Sequence, residues 1–225
     1  KLRFPPSNVF NSNFDGTSTF WVRVPRIDEE SSADHIWLYY GNSAAASVEN
    51  KTGVWDSGYR GVWHLSDLQD STANGNAGTN FGTTTTAGVI GSARDFNGSA
   101  FISLGNPESL RITDDLTLET WCYRRSAGYQ VVVGKYDYVL DRGAYMLGFD
   151  RLSLPGGPCA IVSENGDFDD AGFVEHPGSD VFNTWMHVAA VFGPNRLRLY
   201  VNGVRVAEDA PSFTTLFDST ENVII

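Results

Sequence analysis

At 225 residues, with 27 acidic against 16 basic side chains and a net charge of −11, the chain is long enough to bury a core without disulfide or metal staples. Its negative field repels phosphate backbones and anionic lipid, which sets nucleic acid and direct membrane insertion aside as modes of action. Composition points to an all-β protein: 23 Gly, 13% aromatic residues and only two Met, with Thr, Ser, Asn and Val abundant.

The first segment contains two stretches that read as strands. In residues 19–25 (TFWVRVP) Phe20, Val22 and Val24 alternate with Trp21 and Arg23, the period-2 pattern of a half-buried strand stopped by proline. In residues 35–42 (HIWLYYGN) nearly every side chain is large, which predicts a strand covered on both faces. Residues 2–6 read as the stump of an earlier strand, and residues 43–51 as a short helix or connector. Residues 62–65 (VWHL) then predict a short buried strand, followed by a polar loop, residues 70–76 (DSTANGN).

Beyond residue 100 the strands come regularly: 101–105, 116–123, 130–135, 144–149, 159–163, 185–192 and 197–201. In residues 116–123 (LTLETWCY), Leu116, Leu118 and Cys122 fall on one face and Glu119, Trp121 and Tyr123 on the other. Residues 185–192 are the longest buried run. The Asn202-Gly203 pair between alternating segments is a hairpin signal, since both residues tolerate positive φ in a type I′ turn. Many short strands with hairpin turns and no helical period imply a sandwich or jelly roll.

Two resemblances sharpen this. FWVRVPRI and IWLYYGNSAAAS, followed by GVWDSGYRGVWHL, resemble the end of a domain-of-unknown-function β module of large bacterial and archaeal surface proteins, whose members have further strands ahead of this point. The ordered series VWHL, DSTANGNAG, GSARDFNGSAFISLG, LTLETWCY, AYMLGFD, TWMHVAAVF and LRLYVNGVRVA resembles the laminin-G-like, concanavalin A-like jelly roll. The expected organisation is therefore a partial N-terminal β module over residues 1–56 and a laminin-G-like jelly roll over 57–225. The resemblance implies a final strand beyond Ile225, whose lack would leave a sandwich edge open to self-association by strand exchange; a longer parent chain would supply it equally well. Trp21 and Trp37 are expected to anchor the seam between the two modules.

Catalysis finds little support in the residues. Sandwich hydrolases resembling laminarinases carry two glutamates flanking an aspartate on one strand, and no Glu-x-Asp-x-x-Glu occurs here. Glu119 stands alone on its strand, the four histidines lack metalloprotease or zinc spacing, and no serine sits in a Gly-x-Ser-x-Gly elbow. Cys122 and Cys159 are too few for a disulfide framework and read as core thiols, with a bridge between them as the alternative.

Three groups are candidates for binding. Asp70, with Asn74 and Asn76, could supply oxygens to a structural calcium, as modules resembling this one do at one end of the sandwich; or Asp70 and Ser71 cap the turn while Gly75 supplies positive φ. Asp167, Asp169 and Asp170, in an acidic loop with Glu164 and Asn165, could hold calcium that bridges to a sugar, or could be a solvated loop; exposure of Phe168 and Phe173 would favour binding. Glu119, Trp121 and Tyr123 form an aromatic surface beside a hydrogen-bond acceptor, either a sugar platform or a face packed under a loop. No signal peptide, transmembrane stretch or lipidation motif is legible, and since Lys1 is not a natural start, an upstream targeting segment is compatible with that.

The sequence thus predicts a non-catalytic extracellular or cell-surface recognition or adhesion module. Its expected partners are glycans or surface proteins, with calcium as the expected ion. The alternative is a structural subunit of a surface layer or filament.

Overall fold

The structure, a computed structural model, describes residues 2–3, 19–24, 26, 32–39, 42, 44–137, 140, 142–151, 156–169, 171–179 and 181–225. Among these the chain forms β1 (Leu2–Arg3), β2 (Leu38–Tyr39), β3 (Thr79–Phe81), β4 (Thr84–Ala87), β5 (Ser92–Asp95), β6 (Phe101–Gly105), β7 (Leu116–Tyr123) and β8 (Gln130–Lys135). It continues with β9 (Tyr145–Phe149), β10 (Pro158–Val162), β11 (Gly172–Glu175), β12 (Trp185–Gly193), β13 (Arg196–Val201), β14 (Val204–Asp209) and β15 (Val223–Ile224). A single 3-10 turn, Glu108–Leu110, is the only helical element among the described residues.

Two antiparallel sheets pack face to face: seven strands in the order β11-β10-β9-β8-β15-β6-β3, and four in the order β14-β13-β12-β7. Strand alternation builds the core between them. Leu116, Val188, Ala190, Phe192, Leu197 and Leu199 point inward from the small sheet, against Ile102, Leu104, Tyr145, Leu147, Phe149, Ala160, Val162, Val174 and Val223. Each such large side chain contributes roughly 1.5–3 kcal/mol by leaving water.

The predicted turns fall where the backbone requires them. Asn202 and Gly203 both take positive φ (49° and 79°), as a type I′ hairpin needs, and Asn195 (φ 55°) does the same between β12 and β13. Val223–Ile224 pairs with β8 on one side and β6 on the other, so it joins the two halves of the large sheet. Behind it Lys135, almost wholly buried, donates from Nζ to Asn106 Oδ1 at 2.5 Å and to the Glu221 carbonyl at 2.6 Å. Burial, reinforced by Arg111, pushes its pKa down to about 8.

The large sheet is covered on its second face as well. Met146, Cys159 and Ile161 are fully buried there under Val131, Phe168, Ala171 and Phe173. Every residue of β9 and β10 is buried, which is why both segments read as continuous apolar runs. Cys122 and Cys159 are free thiols on different sheets.

Several local expectations are corrected. Residues 19–24 form no strand, and the described residues of 35–42 contribute Leu38–Tyr39, paired in parallel with Leu2–Arg3. Ile36 and Trp37 are more than half exposed, so the predicted covering is absent at these two residues and Trp37 is not buried in a seam. Described residues 44–51 carry no helix. Residues 62–65 make one isolated bridge, Trp63 to Asp70, because Leu65 turns to φ 64° and ends the extended run.

Candidate functional site: an open aromatic face on the small sheet

The alternation that buries Leu116 and Leu118 turns Glu119, Trp121 and Tyr123 outward, and all three are exposed, Trp121 at 45% and Tyr123 at 43%. Antiparallel register sets β12 beside them: Trp185 opposite Tyr123, His187 opposite Trp121, and Ala189 opposite Glu119. The rings meet across the strands. Trp121 and His187 form an edge contact with centroids 5.4 Å apart, and Tyr123 and Trp185 lie 5.5 Å apart, tilted by 58°. His187 Nε2 is 3.7 Å from Glu119 Oε2. The sequence identified the β7 half of this surface. It missed Trp185 and His187 because residues 185–192 read as a buried run; the available signal was their alternation with buried Met186 and Val188.

The same face continues onto β13 and β14. Ala189 pairs with Tyr200 and Val191 with Arg198, while Arg205 and Glu208 of β14 stand opposite Tyr200 and Arg198. Glu208 receives three arginines: Arg196 Nη1 at 3.1 Å, Arg198 Nε at 3.0 Å and Arg205 Nη1 at 2.7 Å. Hydrogen bonding from Arg198, with the other guanidiniums, holds its carboxyl below the usual range.

The structure does bring Asp70, Asn74 and Asn76 together, and spends their polar atoms on the chain itself. Asp70 Oδ1 accepts from the Val62 and Thr72 N–H groups at 3.0 and 2.8 Å, and Oδ2 from the Thr72 hydroxyl and Asn76 N–H at 2.8 and 3.0 Å. The Asn74 amide donates to the Tyr59 and Arg60 carbonyls. That of Asn76 donates to Arg60 and accepts from the Ser109 hydroxyl. Burial works against ionisation of Asp70, but these four donors outweigh it and hold the carboxyl below its ordinary value. As placed, the residues do not fit calcium, because a cation would have to displace donors from both carboxylate oxygens. They form the capped turn, with Gly75 at φ 67°.

In the acidic loop, Asp167 Oδ1 accepts from the Asp169 N–H at 2.7 Å, and Asn165 Oδ1 from the Asp167 N–H at 2.9 Å, so both side chains shape the loop. Asp170 lies outside the described residues. Phe168 is half-buried, stacked on Tyr136 with centroids 5.9 Å apart, and Phe173 also packs on the covering cluster. Neither is a free loop-tip aromatic. Among the described residues no three His, Cys, Asp or Glu side chains converge as a metal site.

Trp21 packs on the segment around residues 55–64: its ring stacks on His64 at 4.7 Å and lies 5.6 Å from Trp55, which in turn contacts Tyr59. Burial, with Lys51 adding and Asp67 opposing, holds the His64 imidazole below its ordinary pKa.

A sandwich of this topology with an uncovered aromatic face is a lectin-like architecture, and the family comparison agrees. The chain belongs to the concanavalin A-like lectin/glucanases superfamily, whose laminin-G-type model matches residues 96–225. Residues 10–78 match DUF2341, a domain of unknown function. Domain 4 of AbnA, an extracellular GH43 arabinanase of Geobacillus stearothermophilus, solved with arabinotriose, is 18% identical over 71% of this chain and 77% of that one, with a TM-score of 0.53. The binding domain of Paraclostridial mosquitocidal protein 1 is 15% identical over 73% of this chain and 42% of that one (TM-score 0.56). That of botulinum neurotoxin serotype D is 11% identical over 70% and 39% (TM-score 0.50). The chain spans under half of each toxin structure, and at these identities the likeness is one of fold. No curated protein matches the chain. Among the described residues no helix is long and apolar enough to cross a membrane.

Proposed function

We propose that this chain is a non-catalytic extracellular recognition or adhesion module that binds a glycan on the outer face of its small sheet. The observation that carries the reading is the cross-strand set Trp121, His187, Tyr123 and Trp185, exposed or half-exposed beside the acceptor Glu119. A sugar ring presents an apolar face to an aromatic ring and hydroxyls to flanking polar groups, and this surface offers both. The large sheet lacks such an opening around β9 and β10, where its outer side is covered. Support also comes from the superfamily, and from AbnA domain 4, a protein of similar fold solved with arabinotriose.

A non-catalytic role suits Glu119, whose cross-strand neighbour is Ala189 and whose carboxylate lies 3.7 Å from the His187 ring. Retaining chemistry needs a second carboxyl about 5–5.5 Å away. The reading requires no calcium. Weak binding at one site would gain strength by repetition of the module along a surface.

The test is a glycan array followed by calorimetry on the purified chain. Trp121→Ala should lower affinity by about tenfold or more with the melting temperature unchanged, and binding should persist in chelator. Full affinity in Trp121→Ala and Trp185→Ala would move the site elsewhere. Absence of binding to any glycan would favour the second reading, a structural subunit. That reading draws on edge strand β3, where exposed Phe81 stacks on Phe101 at 4.6 Å, and sedimentation would show its self-association.

A further inference from the structure

Glu208 is one carboxylate facing three guanidiniums, so the outer surface of β13 and β14 carries a local excess of two positive charges on a chain whose net charge is −11. The arginines remain accessible, with side chains 48%, 31% and 56% exposed for Arg196, Arg198 and Arg205. They carry about fifteen N–H donors between them, of which Glu208 accepts three hydrogen bonds. Of the other acids on or beside this face, Glu119 lies on β7, two strands away from β13, while the Asp115 carboxylate lies against Gly193 of β12, opposite Arg196 and away from Arg198 and Arg205.

Register fixes how this cluster sits relative to the rings. Trp121 pairs with His187, and Arg198 with Val191. Arg198 is therefore two strands across and four residues along from Trp121, about 17 Å at roughly 4.8 Å per strand and 3.4 Å per residue. Between them lie Ala189 and Tyr200, a low floor flanked by one ring. Rings at one end, a shallow middle and a fork of planar cations at the other suit a chain of sugars that bears carboxylates.

We infer that the ligand of this face is an acidic saccharide of the uronate type, its sugar face on Trp121 and Trp185 and a carboxylate taken by Arg198 and Arg205. This rests on the glycan-binding reading and names its ligand class. Arginine pairs with carboxylate through two parallel N–H bonds, which a neutral sugar cannot accept in the same way. Glu208 occupies the cluster in the absence of ligand, orienting the guanidiniums and competing with the incoming carboxylate.

The experiment compares polygalacturonate with the same polymer after its carboxyls are reduced to alcohols, by calorimetry on the intact chain. The acidic polymer is expected to bind about tenfold tighter at low salt, with the advantage shrinking as salt screens the charges. The Arg198→Ala/Arg205→Ala double variant should lose that advantage while keeping its affinity for the reduced polymer. Trp121→Ala should weaken both polymers. Glu208→Gln removes the resident competitor and should tighten binding of the acidic polymer by about threefold or more, a gain that a purely structural role for the cluster would not produce. Equal affinity for the two polymers, or an unaltered preference in the double arginine variant, overturns the acidic subsite and leaves the glycan reading standing. If neither polymer binds, the acidic-saccharide inference fails, and the glycan array decides separately whether the broader reading fails with it.

Discussion

Arg124 and Asp150 form a buried ion pair: Nη2 lies 2.6 Å from Oδ2, and the two side chains are 3% and 0% exposed. The pair holds one end of the sandwich. Asp150, at φ 55°, also accepts from the Gly128 and Gly157 N–H groups at 2.8 and 2.9 Å, while the guanidinium lies over Phe149 at 4.2 Å and near Phe182 at 5.1 Å. Strands β7 and β9 belong to different sheets, so the pair ties the layers together at the point where both strands end. Removing one partner strands a buried charge. Arg124→Met should cost about 3–5 kcal/mol in urea unfolding, and the Arg124→Met/Asp150→Asn double variant should cost less than the sum of the two single changes.

Asp70 gives a prediction that separates a cap from a metal site. Asp70→Ala deprives the turn of four hydrogen bonds and should cost on the order of 3 kcal/mol, by the same amount in calcium and in chelator. The carboxyl titrates below its unfolded value. Its contribution is therefore fully present above the ordinary aspartate pKa and is lost as pH falls through the lower folded value. Loss confined to calcium-containing buffer would argue for a bound ion.

The Trp21–His64 stack makes the docking of the first segment sensitive to acid. Because the imidazole is held below its ordinary value of 6.5, its stabilising contribution is complete above that pH and disappears as pH falls through the folded pKa. Tryptophan fluorescence should report this as a step below pH 6.5, and His64→Gln should remove the step.

Gly143 lies under Phe168, and a Cβ there would fall 2.2 Å from the ring. Gly143→Ala should push the ring aside and uncover the cluster containing Cys159. Alkylation read by mass spectrometry should then find Cys159 labelled faster, with Cys122 unchanged. Unchanged protection of Cys159 would show that Phe168 is not its cover.

Most of the sandwich was legible in the sequence because β7, β13 and β14 alternate, β12 reads as a long buried run, and the turn residues suit their places, Asn202-Gly203 above all. Strands β3, β4 and β5 were not. Their sequences, TNF, TTTA and SARD, line no buried face and so carry no apolar period to detect. Residues 62–65 misled in the opposite direction: the apolar run is real, but the Val62 N–H goes to the Asp70 carboxylate rather than to a neighbouring strand. For the candidate site, alternation on one strand could group Glu119, Trp121 and Tyr123. Trp185 and His187, or Arg198 and Arg205, join them only through cross-strand register, which depends on which strands become neighbours.

Seating Val223–Ile224 between β6 and β8 also sets an order for biosynthesis. On a ribosome, β3 and β6 emerge early and β8 to β11 later, yet the two groups share no ladder until β15 has been translated and has left the exit tunnel. Until then two interior edges of the large sheet face water together, and the nascent chain must be kept from pairing with its neighbours on the polysome.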